Sequence, residues 1–295
     1  MPTKITQKNL NLDKLNQDIQ QFEQVFPITT DMQTQRTGVS RLVMLDRYAY
    51  KDSKQQTLAI GDLVVLTVKN DPSYPARGIG YINAIDWDKK QAVIQVEDEY
   101  CFSIEDEKER QTGIVSRNLN EIDKPLEIFY EQIAKRVAHA LAQVDQTIGN
   151  KEMIESAFYQ QLKEMNFVPA GRVLYGAGSK SNVTFFNCYV MPFVADSRND
   201  IADHRKKVME IMSRGGGVGT NGSTLRPRNT LARGVNGKSS GSVSWLDDIA
   251  KLTHLVEQGG SRRGAQMIML SNWHPDIYEF IISKMQNPRI LRYLI

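Results

Sequence analysis

The feature that most restricts this chain is where its glycines fall: fourteen of the 20 lie between Gly171 and Gly264. Glycine surrenders more backbone freedom on folding than any other residue. A chain therefore concentrates it where backbone angles are special or where main chain approaches a ligand. Helical patterns punctuate the glycines. Ile201, Val208, Ile211 and Met212 share one face, and Trp245, Ile249, Leu252 and Val256 form a stripe from a Ser244 cap to a Gly259 stop. Pro275 opens a further helix bearing Ile277, Phe280 and Ile281. Short apolar segments, Arg172 to Leu174, Phe185 to Val190 and Met267 to Leu270, sit between them. Buried strands alternating with helices predict an α/β sheet or barrel.

Before Pro169 the texture differs. Leu12, Leu15, Ile19, Phe22 and Phe26 follow helical spacing. GDLVVLTV, GIGYINAID and QAVIQV are short, β-branched and separated by turn residues, which predicts a small β-barrel or curled antiparallel sheet. Trp87 and Tyr81 there read as packing residues. An acidic connector runs from Glu97 to Glu109, and Lys124-Pro125 opens a helix with Leu126, Phe129, Ile133, Val137 and Leu141 on one face. A second helix, about Glu152 to Met165, completes a pair.

Composition excludes several classes. With 41% hydrophobic and 24% charged residues the chain has enough apolar surface to fold. No aliphatic run approaches the length of a membrane span, and the first residues lack a signal peptide's apolar core. Two cysteines, Cys101 and Cys188, make no disulfide scaffold, so a reducing cytoplasm is expected. A net charge of +3 is too mild to argue for nucleic acid. Between Arg214 and Arg263, however, eight basic residues face three acids, either a solvated basic face or an anion site.

Familiar motifs fail on context. Gly217-Val218-Gly219-Thr220-Asn221-Gly222 fits G-x-G-x-x-G, but the preceding Val208 to Met212 reads as helix and the expected downstream acid is missing. Ala232 to Ser239 ends like a P-loop, yet Ala232 stands where the first glycine belongs. His139, His204, His254 and His274 have no metal-ligand spacing, so structural roles and no metal site are expected. Cys188 reads as a buried core cysteine on residue statistics, or as a thiol facing a nucleotide site. Spacing alone does not choose.

Taken together, FVPAGRVLYGAG, FFNCYVMPFVADS, IMSRGGGVGTNGSTLRPR, GKSSGSVSW and EQGGSRRGAQM resemble the large catalytic chain of ribonucleotide reductase. RLVMLDRYAYKD and the β-module from Gly61 to Tyr100 look specifically like the adenosylcobalamin-dependent class. The resemblance implies a ten-stranded α/β barrel, of which this chain would be the N-terminal part. A helical segment (1–45), a small β-barrel-like module (46–123) and a helical pair (124–168) would precede an incomplete barrel (169–295). It implies reduction of ribonucleotides to deoxyribonucleotides for DNA replication by thiyl-radical chemistry, with adenosylcobalamin and its cobalt as cofactor. A noncatalytic nucleotide-binding regulatory protein is the alternative.

Mapped by motif, the resemblance makes Cys188 the first cysteine of the reducing pair that closes to a disulfide. Ala170, Asn187, Gly222 and Ser223 would join it in contacting substrate. Asp196, Arg233, Gln258 and Arg262 would serve an allosteric site for a deoxynucleotide or ATP effector, with 258–264 as a mobile loop. The second reducing cysteine, the thiyl cysteine and the rest of the barrel are expected beyond Ile295, and these residues alone are expected to be inactive. A thioredoxin-type reductant and a homodimeric partner complete the implied set, with no membrane and no direct nucleic acid.

Overall fold

The computed structural model describes residues 10–32, 36–71, 74–145, 150–232, 236–258 and 262–284. The chain divides into two compact units, Met1–Ser181 and Asn182–Ile295.

In the first unit, α1 (Leu12–Ile19) starts where the Asn11 side chain accepts the Lys14 N–H at 3.0 Å. It buries Leu15 and Ile19 against Val25 and Leu126. The helix stops before Phe22, which enters a turn onto Ile19. Helix α2 (Gly38–Val43) continues into a π-helical turn at Met44–Tyr48. Five antiparallel strands follow: β1 (Leu63–Lys69), β2 (Ala76–Asp86), β3 (Gln91–Val96), β4 (Ile114–Asn118) and β5 (Ile122–Asp123). Their order is β4-β3-β2-β1-β5.

The sheet curls without closing. In a flat sheet β4 and β1 would lie roughly 14 Å apart, three strand spacings. Instead Arg117 on β4 donates from Nε to the Thr67 carbonyl on β1 at 2.8 Å. β5 pairs with β1 at Val65 and Leu66, so the arginine takes carbonyls beyond that pairing. Trp87 in the β2–β3 turn is 55% exposed, so it does not pack as expected, whereas Tyr81 is half-buried. The acidic connector contains α3 (Asp98–Cys101) and α4 (Glu107–Thr112), the latter ending on Gly113 at φ +67°.

The main helix, α5 (Tyr130–Ala142), begins later than Pro125. The Gln132 side chain accepts the Ile128 and Phe129 N–H groups at 2.9 and 3.1 Å, which fixes the start there. α6 (Lys151–Lys163) pairs with it. The segment Arg172 to Leu174 is helical, within α7 (Gly171–Gly176). Arg136, 1% exposed, pairs with fully buried Glu127 at 2.7 Å and donates to the carbonyls of Leu174, Ala177 and Tyr48. One guanidinium thus satisfies the end of α7 and the end of the π-helical turn.

The second unit holds β6 (Cys188–Val190), α8 (Arg198–Ser213), β7 (Gly217–Asn221), β8 (Leu231–Ala232), β9 (Gly237–Lys238), α9 (Ser242–Leu255), β10 (Glu257–Gln258), β11 (Arg262–Arg263), β12 (Gln266–Met269) and α10 (Ile277–Ile282). Strands β6, β7 and β12 form a parallel sheet in the order β12-β7-β6, each joined to the next by a crossover containing α8 or α9. The molecule is therefore mixed α/β. Ser244 does not cap α9; Gly241 precedes its first residue, and Ser244 donates from its hydroxyl to the Ser240 carbonyl. The helix ends at Leu255, and Gly259 lies outside the described residues.

Candidate functional site

Register assigns the parallel sheet's two faces. Cys188 pairs with Gly217, Tyr189 with Val218, Val190 with Gly219, and Met267 with Gly219. Side chains alternate along a strand, so Tyr189, Val218 and Thr220 share one face. There Val218 clusters with Val208 and Met212 of α8 and Leu252 of α9. The opposite face carries Cys188, Gly217, Val190, Gly219 and Met267, with Val190 90% and Met267 63% exposed. Helices cover one face and leave the other open.

Cys188 is exposed, which overturns its reading as a core cysteine. Beside it, a Cβ on Gly217 would stand 3.2 Å from the Cys188 Sγ. At Gly219 a Cβ would meet only the Tyr189 carbonyl oxygen, at 3.8 Å. Glycine weakens a strand, and no side chain among the described residues crowds position 219; such a position suits close approach from above the open face. The Asn187 carbonyl accepts the Gly217 N–H at 2.8 Å, so Asn187, Cys188 and Gly217 meet at the leading end of the strands.

Gly222 and Ser223 lie at the trailing end. Four residue steps carry β7 from Gly217 to Asn221, about 13 Å of rise. Ser223 closes an Asx turn on the Asn221 Oδ1 at 3.0 Å and accepts the Ser271 N–H and hydroxyl at 2.8 and 2.9 Å. Gly222 is pinned against α9, where a Cβ would approach Leu246 to 2.8 Å. Hence the strands do not bring Ser223 to Cys188. Ala170 belongs to the first unit, preceding α7.

Asp196 follows β6 and Arg226 follows β7, and the Arg226 Nε donates to the Asp196 Oδ2 at 2.7 Å. Thr224 also donates from its hydroxyl to the Val194 carbonyl, tying the same two loops. Sequence reading missed Arg226 as the cation against Asp196, although R-P-R ends the motif that contains it. At the two ends of the P-loop-like stretch β8 and β9 pair antiparallel, Leu231 opposite Lys238 and Ala232 opposite Gly237. Arg233 lies outside the described residues. Gln258 and Arg262 are backbone partners in the β10–β11 ribbon, while 259–261 also lie outside them.

Polar anchors hold this frame. Asp276, 7% exposed, accepts the Arg228 N–H at 3.0 Å and both the N–H and hydroxyl of Ser242 at 2.9 Å. Burial pushes its carboxyl up, but these bonds outweigh burial and hold it below the usual carboxylate value. His204, buried on α8, meets the Thr220 hydroxyl at 3.1 Å, and burial lowers its pKa. His274 is buried too, its Nε2 2.9 Å from the Leu225 carbonyl. His139 pairs with Glu155 at 2.8 Å. Among the described residues no three His, Cys, Asp or Glu side chains could hold a metal ion. Nor is any helix of theirs long and apolar enough to cross a membrane.

Comparison with known proteins agrees with the division of the chain. A family profile described as ribonucleotide reductase, all-alpha domain, matches residues 114–182. A second, ribonucleotide reductase, barrel domain, matches 186–290. A vitamin B12-dependent ribonucleoside-diphosphate reductase of Thermoplasma acidophilum is 38% identical over 134 residues, 45% of this chain and 17% of that protein. The vitamin B12-dependent ribonucleoside-diphosphate reductase of Mycobacterium tuberculosis is 31% identical over 140 residues, 48% of this chain and 20% of that one. The ribonucleoside-diphosphate reductase large subunit of Dictyostelium discoideum is 33% identical over 153 residues, 51% of this chain and 17% of its own length. The matched stretch thus spans about a fifth of these relatives or less.

Proposed function

This chain belongs to the ribonucleotide reductase large-chain family, and from that premise we propose that it contributes one reducing thiol and an effector-binding edge to an adenosylcobalamin-dependent reduction of ribonucleotides. The observation that carries the proposal is the open sheet face: a solvent-exposed cysteine flanked by Gly217 and Gly219, on strands whose other face is sealed by helices. Such a face suits a sugar approaching a sulfur, and favours reduction over a purely regulatory protein, for which an exposed Cys188 has no use.

Chemically, the ribose 2′ hydroxyl leaves as water. Two thiols supply the two electrons and two hydrogens and are left joined as a disulfide. Cys188 is one of them. Asn187 would hold the sugar beside it, and a thioredoxin-type reductant would reopen the disulfide. The cofactor, which the names of two relatives suggest, supplies the initiating radical.

At the trailing end, Asp196 with Arg226 would take an effector deoxynucleotide or ATP; Arg233, Gln258 and Arg262 remain proposed effector contacts, the last two on the ribbon that leads into β12. Asp196 accepts hydrogen bonds and the arginines grip phosphate. Ala170 and the Gly222-Ser223 turn remain proposed substrate contacts, the turn acting from the far end of β7. A homodimer and the remaining barrel strands, in the cytoplasm, complete this reading.

The test is Cys188→Ser in the complete reductase. Turnover with thioredoxin should fall at least about a hundredfold, the scale of removing a residue that acts in the chemical step. Full turnover would overturn the assignment.

A further inference from the structure

A disulfide forms only when the two Cβ atoms come within about 3.5–4.5 Å, so a reducing thiol has little positional latitude. Cys188 opens β6, and the residues before it, 185–187, are exposed and outside the strand. Something must hold that approach.

The holding contacts come from the covered face. Tyr189, next in sequence, points opposite to Cys188, and its ring lies across the Gly216 backbone. A Cβ at Gly216 would stand 2.9 Å from the Tyr189 Cε2. The Tyr189 hydroxyl meets the Thr184 hydroxyl. Thr184 in turn accepts the Phe186 N–H on Oγ1 at 3.2 Å, and its own N–H donates to the Arg214 carbonyl at 3.0 Å. The six residues 184–189 are thus closed by one side-chain pair, and the thiol leaves from the far side of that closure.

We infer that Tyr189 and Thr184 are positioning residues for Cys188: their hydroxyl pair closes the segment before β6 and sets where the thiol stands above the open face. The inference rests on the thiol-donor reading. It does not require either hydroxyl to touch substrate.

The experiment compares Tyr189→Phe, Thr184→Val and Thr184→Ser in the complete reductase, each nearly isosteric with the native residue. Two readouts are taken: kcat and KM for the ribonucleotide, and the iodoacetamide alkylation rate of the Cys188 peptide, with the Cys101 peptide as internal reference. Tyr189→Phe and Thr184→Val should each lower kcat about tenfold with KM within about twofold, because small misplacements of a reacting group cost rate rather than affinity. Both should change Cys188 alkylation about threefold or more, a local loosening of the kind expected when a supporting hydrogen bond is lost. Thr184→Ser, which keeps the hydroxyl, should restore both readouts.

Unchanged kcat and unchanged alkylation in Tyr189→Phe and Thr184→Val would overturn the inference, as would Thr184→Ser failing as badly as Thr184→Val. The two readings fail separately. If Cys188→Ser is fully active while Tyr189→Phe still alters alkylation, the donor role falls and the positioning stands. If Cys188→Ser is inactive and alkylation is indifferent to Tyr189, the reverse holds.

Discussion

The two sheets of this chain are built on opposite plans. In the first unit Val64, Val65 and Leu66, successive residues of β1, are all 0% exposed, so both faces of that strand are covered by its own unit. In the second, Val190 on β6 is 90% exposed while Val218 on neighbouring β7 is 3% exposed. The first sheet is a finished core. The second has one finished face and one that presents a thiol, two glycines and two apolar side chains. Stability is invested in the first, and the capacity to meet something else in the second.

The sharpest way to break that contrast is Arg136→Met in the first unit. It strands the Glu127 carboxylate, 0% exposed, and should cost about 3–5 kcal/mol in chemical denaturation. A cost near zero would mean that water replaces the guanidinium and the core is less closed than described. Next comes a matched pair. Leu66→Ala should cost about 2–5 kcal/mol, whereas Met267→Ala on the open face should stay within about 0.5 kcal/mol. Equal costs would erase the distinction between the sheets.

Smallest is a pH effect in the second unit. His204 has its pKa lowered by burial and then by Lys207, so the unfolded chain binds the proton more readily. Stability is therefore full above the ordinary value of 6.5 and falls as pH drops through it toward the lower folded value. The unfolding midpoint, followed from pH 8 to 5, should show this loss, and His204→Asn should flatten it. A midpoint whose slope is unmoved by that substitution would remove His204 from the account.

Much of this was legible in residues. The stripes Ile201–Met212 and Trp245–Val256 became α8 and α9 because apolar spacing alone determines which side of a helix is buried. Cys188 and Met267 fell on strands as their surroundings predicted. What was illegible depended on which hydrogen-bond partner a group finds, near or far along the chain. Pro125 looked like a helix start, but Gln132 reaching back to Ile128 and Phe129 moved the start to Tyr130. The stretch at 217–222 fits a glycine motif of phosphate-binding loops, yet Gly217–Asn221 is the central strand, held by β6 and β12, which are 29 and 49 residues away at Cys188 and Gln266.

The site divided the same way. That Cys188 lies on a strand was readable, but not that Ser223 sits a strand's length from the thiol, nor that Arg226 is the cation facing Asp196. Register and pairing decide such placements, and neither leaves a local signature.

Asp276 ties the backbone of Arg228 to the first residue of α9, at Ser242, so the excursion between them leaves and returns at a shared pivot. Gly241 sits in that pivot at φ +93°, where a side chain would collide with Arg228 and Asp276. Any molecule that tugs on the 229–240 excursion must either drag α9 along with it or break several bonds to one carboxylate together. A pull arriving there is therefore passed on whole or not at all.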